Sequence, residues 1–159
     1  MKNVKSVVKS LALSTLAAAS FQAQAADEAF DVTLKLLTPI SISETQSLDF
    51  GETVSGSAST IVVAAADANA AVFTATGDAS ETASVQIVES SITMTTGDGS
   101  GTTKQITVDG FSLGGDVSGG AITFTGGADD IRVGATANVE AEDIAGNYAG
   151  SATLQVVYN

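Results

Sequence analysis

The final fourteen residues, Gly146 to Asn159, constrain the fold of this chain more than any other stretch. Beyond the turn residues Gly146-Asn147, a row of Tyr148, Gly150, Ala152, Leu154, Val156 and Tyr158 alternates with Ala149, Ser151, Thr153, Gln155 and Val157. Strand side chains point to opposite faces with a period of two, so the first row faces a core and the second, mostly polar, faces water. The pattern predicts a turn and then a long terminal strand.

The same period recurs from the other end. Phe30, Val32, Leu34 and Leu36 alternate with Asp31, Thr33 and Lys35, a strong strand pattern. Pro39 breaks any ladder there, and Ile40-Ser41-Ile42-Ser43 starts a second strand. Leu48-Asp49-Phe50-Gly51 comes after a polar turn, with Phe50 as a core anchor and Gly51 supplying a turn or bulge. The middle is a series of short β runs set apart by Gly and Asp. Among them are Ile61 to Val63, Ala71 to Thr74, Val85 to Ile87, Ile92 to Met94, Ile106 to Val108 and Ile122 to Thr125. Ile131, Val133, Ala135, Ala137, Val139 and Ala141 make a long alternating strand. No stretch carries a helical stripe, although Ala64 to Ala71 has room for one helical turn. Short strands at regular spacing with Gly-rich turns predict an all-β sandwich with an immunoglobulin-like arrangement. Many of its strand positions are Ala, Thr or Ser, so its core is thin.

The first residues read as a secretory signal. Lys2, Lys5 and Lys9 precede a short apolar run, Leu11 to Phe21, and Ala23-Gln24-Ala25 fits a cleavage site. The run is too short to span a bilayer, and no later run reaches that length. The expected organisation is a signal peptide over 1–25, an N-terminal extension and candidate donor strand over 26–37, and one sandwich domain over 38–159. The expected route is export through the inner membrane with cleavage near Ala25.

The signal holds three of the six Lys and Arg and none of the 18 Asp and Glu. The mature chain therefore keeps only Lys35, Lys104 and Arg132 against all of the acids. Such a surface repels nucleic acid and anionic lipid, so any assembly must come from a specific, largely apolar contact. There is no Cys and no His. The usual general base, the thiol nucleophile and the common zinc ligands are thus missing, and no Ser-x-x-Lys pair replaces them. The expectation is a protein that is not an enzyme and uses no cofactor. The loop Gly97 to Gly101 lacks the Lys and the strand-to-helix setting of a phosphate cradle. Asp98, Asp109, Asp116, Asp129 and Asp130 sit in turns, but no Asp-x-Asp-x-Asp loop arranges them for calcium.

Two resemblances attach to these residues. Bacterial fimbrial subunits of the chaperone–usher type end in an alternating strand with a penultimate Tyr and a Gly fourteen places from the end, as Tyr158 and Gly146 stand here. Many of those subunits carry one disulfide, so the lack of Cys places this chain with Cys-free relatives. The early Leu48-x-Phe50-Gly51 after Pro39-Ile-Ser-Ile, the late Gly146-x-Tyr148-x-Gly150 and the terminal strand together resemble an exported bacterial family known as domain of unknown function 4402.

The resemblance implies a structural role, a subunit of a fimbria or pilus-like filament that polymerises by β-strand donation and serves adhesion or biofilm formation. It implies Phe30, Val32, Leu34 and Leu36 as the donor face. Gly146, Tyr148, Leu154, Val156 and Tyr158 would form the receiving terminal strand. The implied partners are copies of the chain or related subunits, a periplasmic chaperone and an outer-membrane usher. The implied destination is the periplasm and then the cell surface. The alternative is a self-contained secreted sandwich that binds a sugar or matrix ligand, with or without calcium, in which Phe30 to Leu36 pairs within its own sheet.

Overall fold

A computed structural model describes residues 26–159. The expected signal peptide lies outside the described residues. The chain divides into two units, Met1–Lys35 and Leu36–Asn159. In the first, residues 26–35 join no helix or strand. Phe30, Val32 and Leu34 there are 83%, 81% and 89% exposed, and Leu36, which opens the second unit, is 88% exposed. The alternation that predicts a strand is present in the sequence, but a strand needs a ladder, and residues 26–35 enter none among the described residues.

The second unit is built from nine strands: β1 (Ser41–Gln46), β2 (Ser59–Val63), β3 (Ala71–Thr76), β4 (Thr82–Ile87), β5 (Ile92–Thr95), β6 (Gln105–Gly115), β7 (Ala121–Thr123), β8 (Asp129–Val139) and β9 (Leu154–Tyr158). They form two antiparallel sheets, an all-β sandwich. The larger sheet runs β1-β3-β8-β6-β5, with β2 also paired to β8, and the smaller runs β7-β4-β9. The central strand is β8, which pairs β6 on one side and both β3 and β2 on the other. Its inward row of Ile131, Val133, Ala135, Ala137 and Val139 is fully buried, as its unbroken period of two requires.

In β6 the inward parity switches, from Ile106 and Val108 to Phe111 and Leu113. A strand can do this only by inserting a residue. The register against β8 slips between Asp109 and Ser112, and Gly110 takes the positive φ of 59° that such a bulge uses. The Ala-rich stretch after β2 forms turns rather than a helix. Arg132 on β8 holds it there, its guanidinium donating to the carbonyls of Ala65 and Asp67 at 2.7 and 2.6 Å.

Two apolar clusters fill the sandwich, and they differ in what covers them. The first contains Ala75 and Ile131 of the larger sheet with Ala83, Val85 and Ile122 of the smaller one, and Phe124 between. It is closed from both sides. The second contains Ile106, Val108, Ala135, Ala137 and Val139, all from β6 and β8. Among the described residues, no strand of the smaller sheet contributes to it. Its cover is a set of half-buried side chains, among them Leu48, Phe50, Ile92, Met94, Phe111 and Tyr148.

Candidate functional site

The uncovered cluster forms the floor of a groove. One wall is β1 and the chain after it, through Ile42, Glu44, Leu48 and Phe50, and the other is the lead into β9, Gly150 to Leu154. Between them lies a cavity of about 550 Å³ over Phe73, Val108, Phe111 and Val133. A second cavity of about 450 Å³ continues it past Leu48, Phe50 and Met94 to Tyr148, over Ile106, Ala137 and Val139. The first wall is a sheet edge, since among the described strands β1 pairs only β3, and the second runs outside the ladders until Leu154 opens β9, itself an edge strand. The groove therefore offers an apolar floor and backbone amides and carbonyls along its sides.

The walls are held apart and in place by specific bonds. Ala149 exchanges both backbone hydrogen bonds with Thr95, at 2.9 and 3.0 Å. Four residues on, the Thr153 carbonyl accepts from the Val88 amide at 2.9 Å. The Thr153 amide and hydroxyl donate to the Glu89 carboxylate at 2.8 and 2.9 Å. These two bonds hold Glu89 below its ordinary value of 4.5. Between the two anchors, Gly150 to Ala152 are exposed. At the far end the walls meet. The Tyr158 hydroxyl donates to the Thr38 carbonyl at 2.9 Å, which ties β9 to the chain just before β1.

Of the sequence-predicted residues, Tyr148 and Leu154 line the groove and Gly146 sits at its mouth. The Tyr148 hydroxyl donates to the Ile144 carbonyl at 2.8 Å, with the Thr103 carbonyl 3.1 Å away. Burial first, and then the charge of Asp143, push its phenol above the ordinary range. Val156 and Tyr158 do not line the groove; they pack on the closed cluster, beside Phe124. The expected long terminal strand is shorter, with only Leu154–Tyr158 in a ladder, because Gly146 to Thr153 cross from the β5 edge to the β4 edge. Phe30, Val32, Leu34 and Leu36 have no place in any sheet of the described residues. Sequence reasoning misses Ile92, Met94, Val108 and Phe111 as groove-lining residues, although their alternation is a visible signal.

Of the aspartates expected in turns, Asp109 lies within β6 and Asp129 and Asp130 open β8, so only Asp98 and Asp116 stand in turns. Asp98 pairs with Lys104 and accepts from Ser100, which together hold its carboxyl far below the usual range. Asp116 accepts from the Asp130 amide at 2.7 Å, and Asp129 is buried, accepting from the Thr125 amide. Among the described residues no three acids converge on one point. No described helix is long and apolar enough to cross a membrane.

The class defined by this architecture is an all-β sandwich whose two sheets leave a lateral apolar groove along the free edge of β1. The chain belongs to the family described as domain of unknown function (DUF4402), whose model matches residues 40–158. The match covers the whole sandwich and begins just after Pro39, so the apolar arm precedes it. No curated protein matches the chain in sequence.

Proposed function

We propose that the chain is a structural subunit of a fimbria or pilus-like surface filament, in which the arm of one copy completes the sandwich of the next. The observation that carries this reading is the pairing of an open floor with its complement. The floor between β1 and the lead of β9 lacks a covering strand among the described residues, and the arm carries four exposed apolar side chains at strand spacing.

The dimensions agree. Tyr148 to Leu154 and Phe30 to Leu36 span the same number of residues, roughly 20 Å in extended chain. An extended segment laid in the groove would hydrogen-bond to an edge strand and alternate its side chains into the floor, the β-augmentation mode of recognition. Burying Phe30, Val32, Leu34 and Leu36 would contribute about 6–12 kcal/mol as an upper estimate. The role is structural rather than enzymatic, and adhesion or biofilm formation is the service such a filament would give. A periplasmic chaperone and an outer-membrane usher are the partners that would keep the groove and the arm from pairing early. The self-contained binding module needs Phe30 to Leu36 paired in their own sheet, and their exposure weighs against it.

The test is size-exclusion chromatography with negative-stain microscopy on the chain from Ala26, and on a variant lacking Asp27 to Leu37. Filaments from the first, and stabilisation of the second by a peptide of the missing residues, are expected. A monomer under all conditions, indifferent to the peptide, would refute the proposal.

A further inference from the structure

The arm leaves the sandwich through Thr38, and every polar group of Thr38 is engaged. Its amide donates to Asp78 Oδ2 and its hydroxyl to Oδ1 of the same carboxylate, each at 2.9 Å. Its carbonyl accepts from the Tyr158 hydroxyl at 2.9 Å, and that hydroxyl accepts from the Asp78 amide at 2.8 Å. The one proton of the phenol and one of its lone pairs are thus both used. The ring stands edge-on to Phe124, centroids 5.8 Å apart, and Phe124 is almost wholly buried. The knot is therefore fastened to the closed core and not to a loop. Pro39 comes next, with its fixed φ, and it confines Thr38 to extended backbone. Two residues later β1 begins. No Gly lies between Leu36 and Ser41.

We infer that Tyr158 is a positioning residue for assembly, one that anchors Thr38, the root of the donated segment, on the sandwich and would so make the joint between successive subunits stiff. This rests on the proposed function. Tyr158 stands on the strand whose lead forms the receiving wall, yet its hydroxyl bonds the root of the donating arm. One side chain thus joins the strand that follows the receiving wall to the root of the segment that is given. Loss of the hydroxyl leaves the ring packing and the groove floor in place, removes the bond to the Thr38 carbonyl and the acceptor of the Asp78 amide, and leaves the root on its two bonds to the Asp78 carboxylate.

The test uses the chain from Ala26 with Tyr158→Phe and, separately, Thr38→Val. Thr38 is exposed, so the second variant keeps the fold even if the first does not. Filament persistence length is measured by negative-stain microscopy. A labelled peptide of residues 27–37 is bound to each variant in a background carrying Phe30→Ser and Leu34→Ser, which prevents polymerisation. The expected result is straight filaments from the unaltered chain, a several-fold shorter persistence length in both variants, and peptide affinity changed no more than a few-fold. Equal straightness in all three overturns the inference, as does an unaltered filament already as flexible as the variants. Absence of both filaments and peptide binding in the unaltered chain overturns the proposed function, and this inference with it. Peptide binding by the unaltered chain is therefore what separates the two failures.

Discussion

Leu34→Ala separates the chain's own stability from the stability of an assembly. Leu34 is 89% exposed, so its truncation removes almost nothing from the isolated fold. In a completed sandwich the same side chain would lie on the floor formed by Val108, Phe111 and Val133. Removing a leucine from a packed core costs about 2–5 kcal/mol. Even the lower figure weakens binding roughly thirtyfold, since about 1.4 kcal/mol is a factor of ten. The assay has two arms. Thermal unfolding of the monomeric chain carrying Phe30→Ser should be unchanged by the added Leu34→Ala. Fluorescence anisotropy of a labelled arm peptide, with and without the change at Leu34, should show the thirtyfold loss. A variant monomer that melts earlier would place Leu34 in its own domain. Equal peptide affinities would mean that the arm does not enter the groove through its alternating face.

Three other outcomes are set by the geometry. Ile131→Ala, at a fully buried position of the closed cluster, should destabilise the sandwich by about 2–5 kcal/mol in urea unfolding. A smaller loss would mean that this cluster is loosely packed. Gly110→Val forces a β-branched residue to φ 59° in the β6 bulge and should cost about 1–3 kcal/mol by the same assay; an unchanged midpoint would refute the bulge. Glu89 is held below 4.5 by its bonds from Thr153, so its contribution is present above that value and fades as pH falls through the folded value. The protection of the Thr153 amide, its exchange rate compared with that of an unstructured amide at the same pH, should therefore fall in acid, and Glu89→Gln should remove that pH dependence of the protection and leave the amide weakly protected near neutral pH. A pH profile identical in the two proteins would show that Glu89 does not hold the groove wall.

Much of the fold is legible in the sequence because period-two patterns are local. The row Ile131 to Ala141 marks β8, which begins two residues before it and ends at Val139. Ile106, Val108, Phe111 and Leu113 contain the β6 bulge in their parity, since no regular strand can bury both pairs on one face. The lead into β9 is not legible as an interruption. Its alternation is unbroken from Tyr148 to Tyr158, but the ladder partner changes from β5 to β4 on the way, and no local signal marks a change of partner. Strand order is closed to sequence reasoning for the same reason. The root of the arm is equally hidden: Thr38 and Asp78 lie far apart in sequence, and neither is unusual alone. Tyr158 stands out by its place near the end of the chain, which says nothing of the carbonyl it bonds. The acidic turns suggest calcium by composition alone. In the fold, Asp98 and Asp116 cap backbone or pair with a neighbour, which is the ordinary work of Asp in turns, and Asp129, at the start of β8, accepts from the Thr125 amide.

The two clusters explain why a chain of this composition would depend on a neighbour. The closed cluster holds Phe124, Ile122 and Ile131, large side chains roofed by a second sheet. The open one is floored by Ala135 and Ala137 with Val108, Ile106 and Val139, and its larger side chains remain half-exposed around the rim. Small residues on a central strand bury little apolar area and contribute correspondingly little stability. They also leave room above themselves. Under the proposed function the arm would supply what that room lacks: one Phe, two Leu and a Val, at strand spacing, on a segment that joins no sheet among the described residues. On the proposed function the thin floor and the apolar arm are two halves of one core divided between two molecules. A substitution that filled the floor from within, such as Ala137→Leu, would then act in opposite directions on the two states. It would cover the open cluster of the isolated subunit and shut out the incoming strand, so thermal stability of the monomer should hold or rise while filaments fail to form. A larger floor residue that left filament formation intact would show that the arm is received somewhere other than over Ala137.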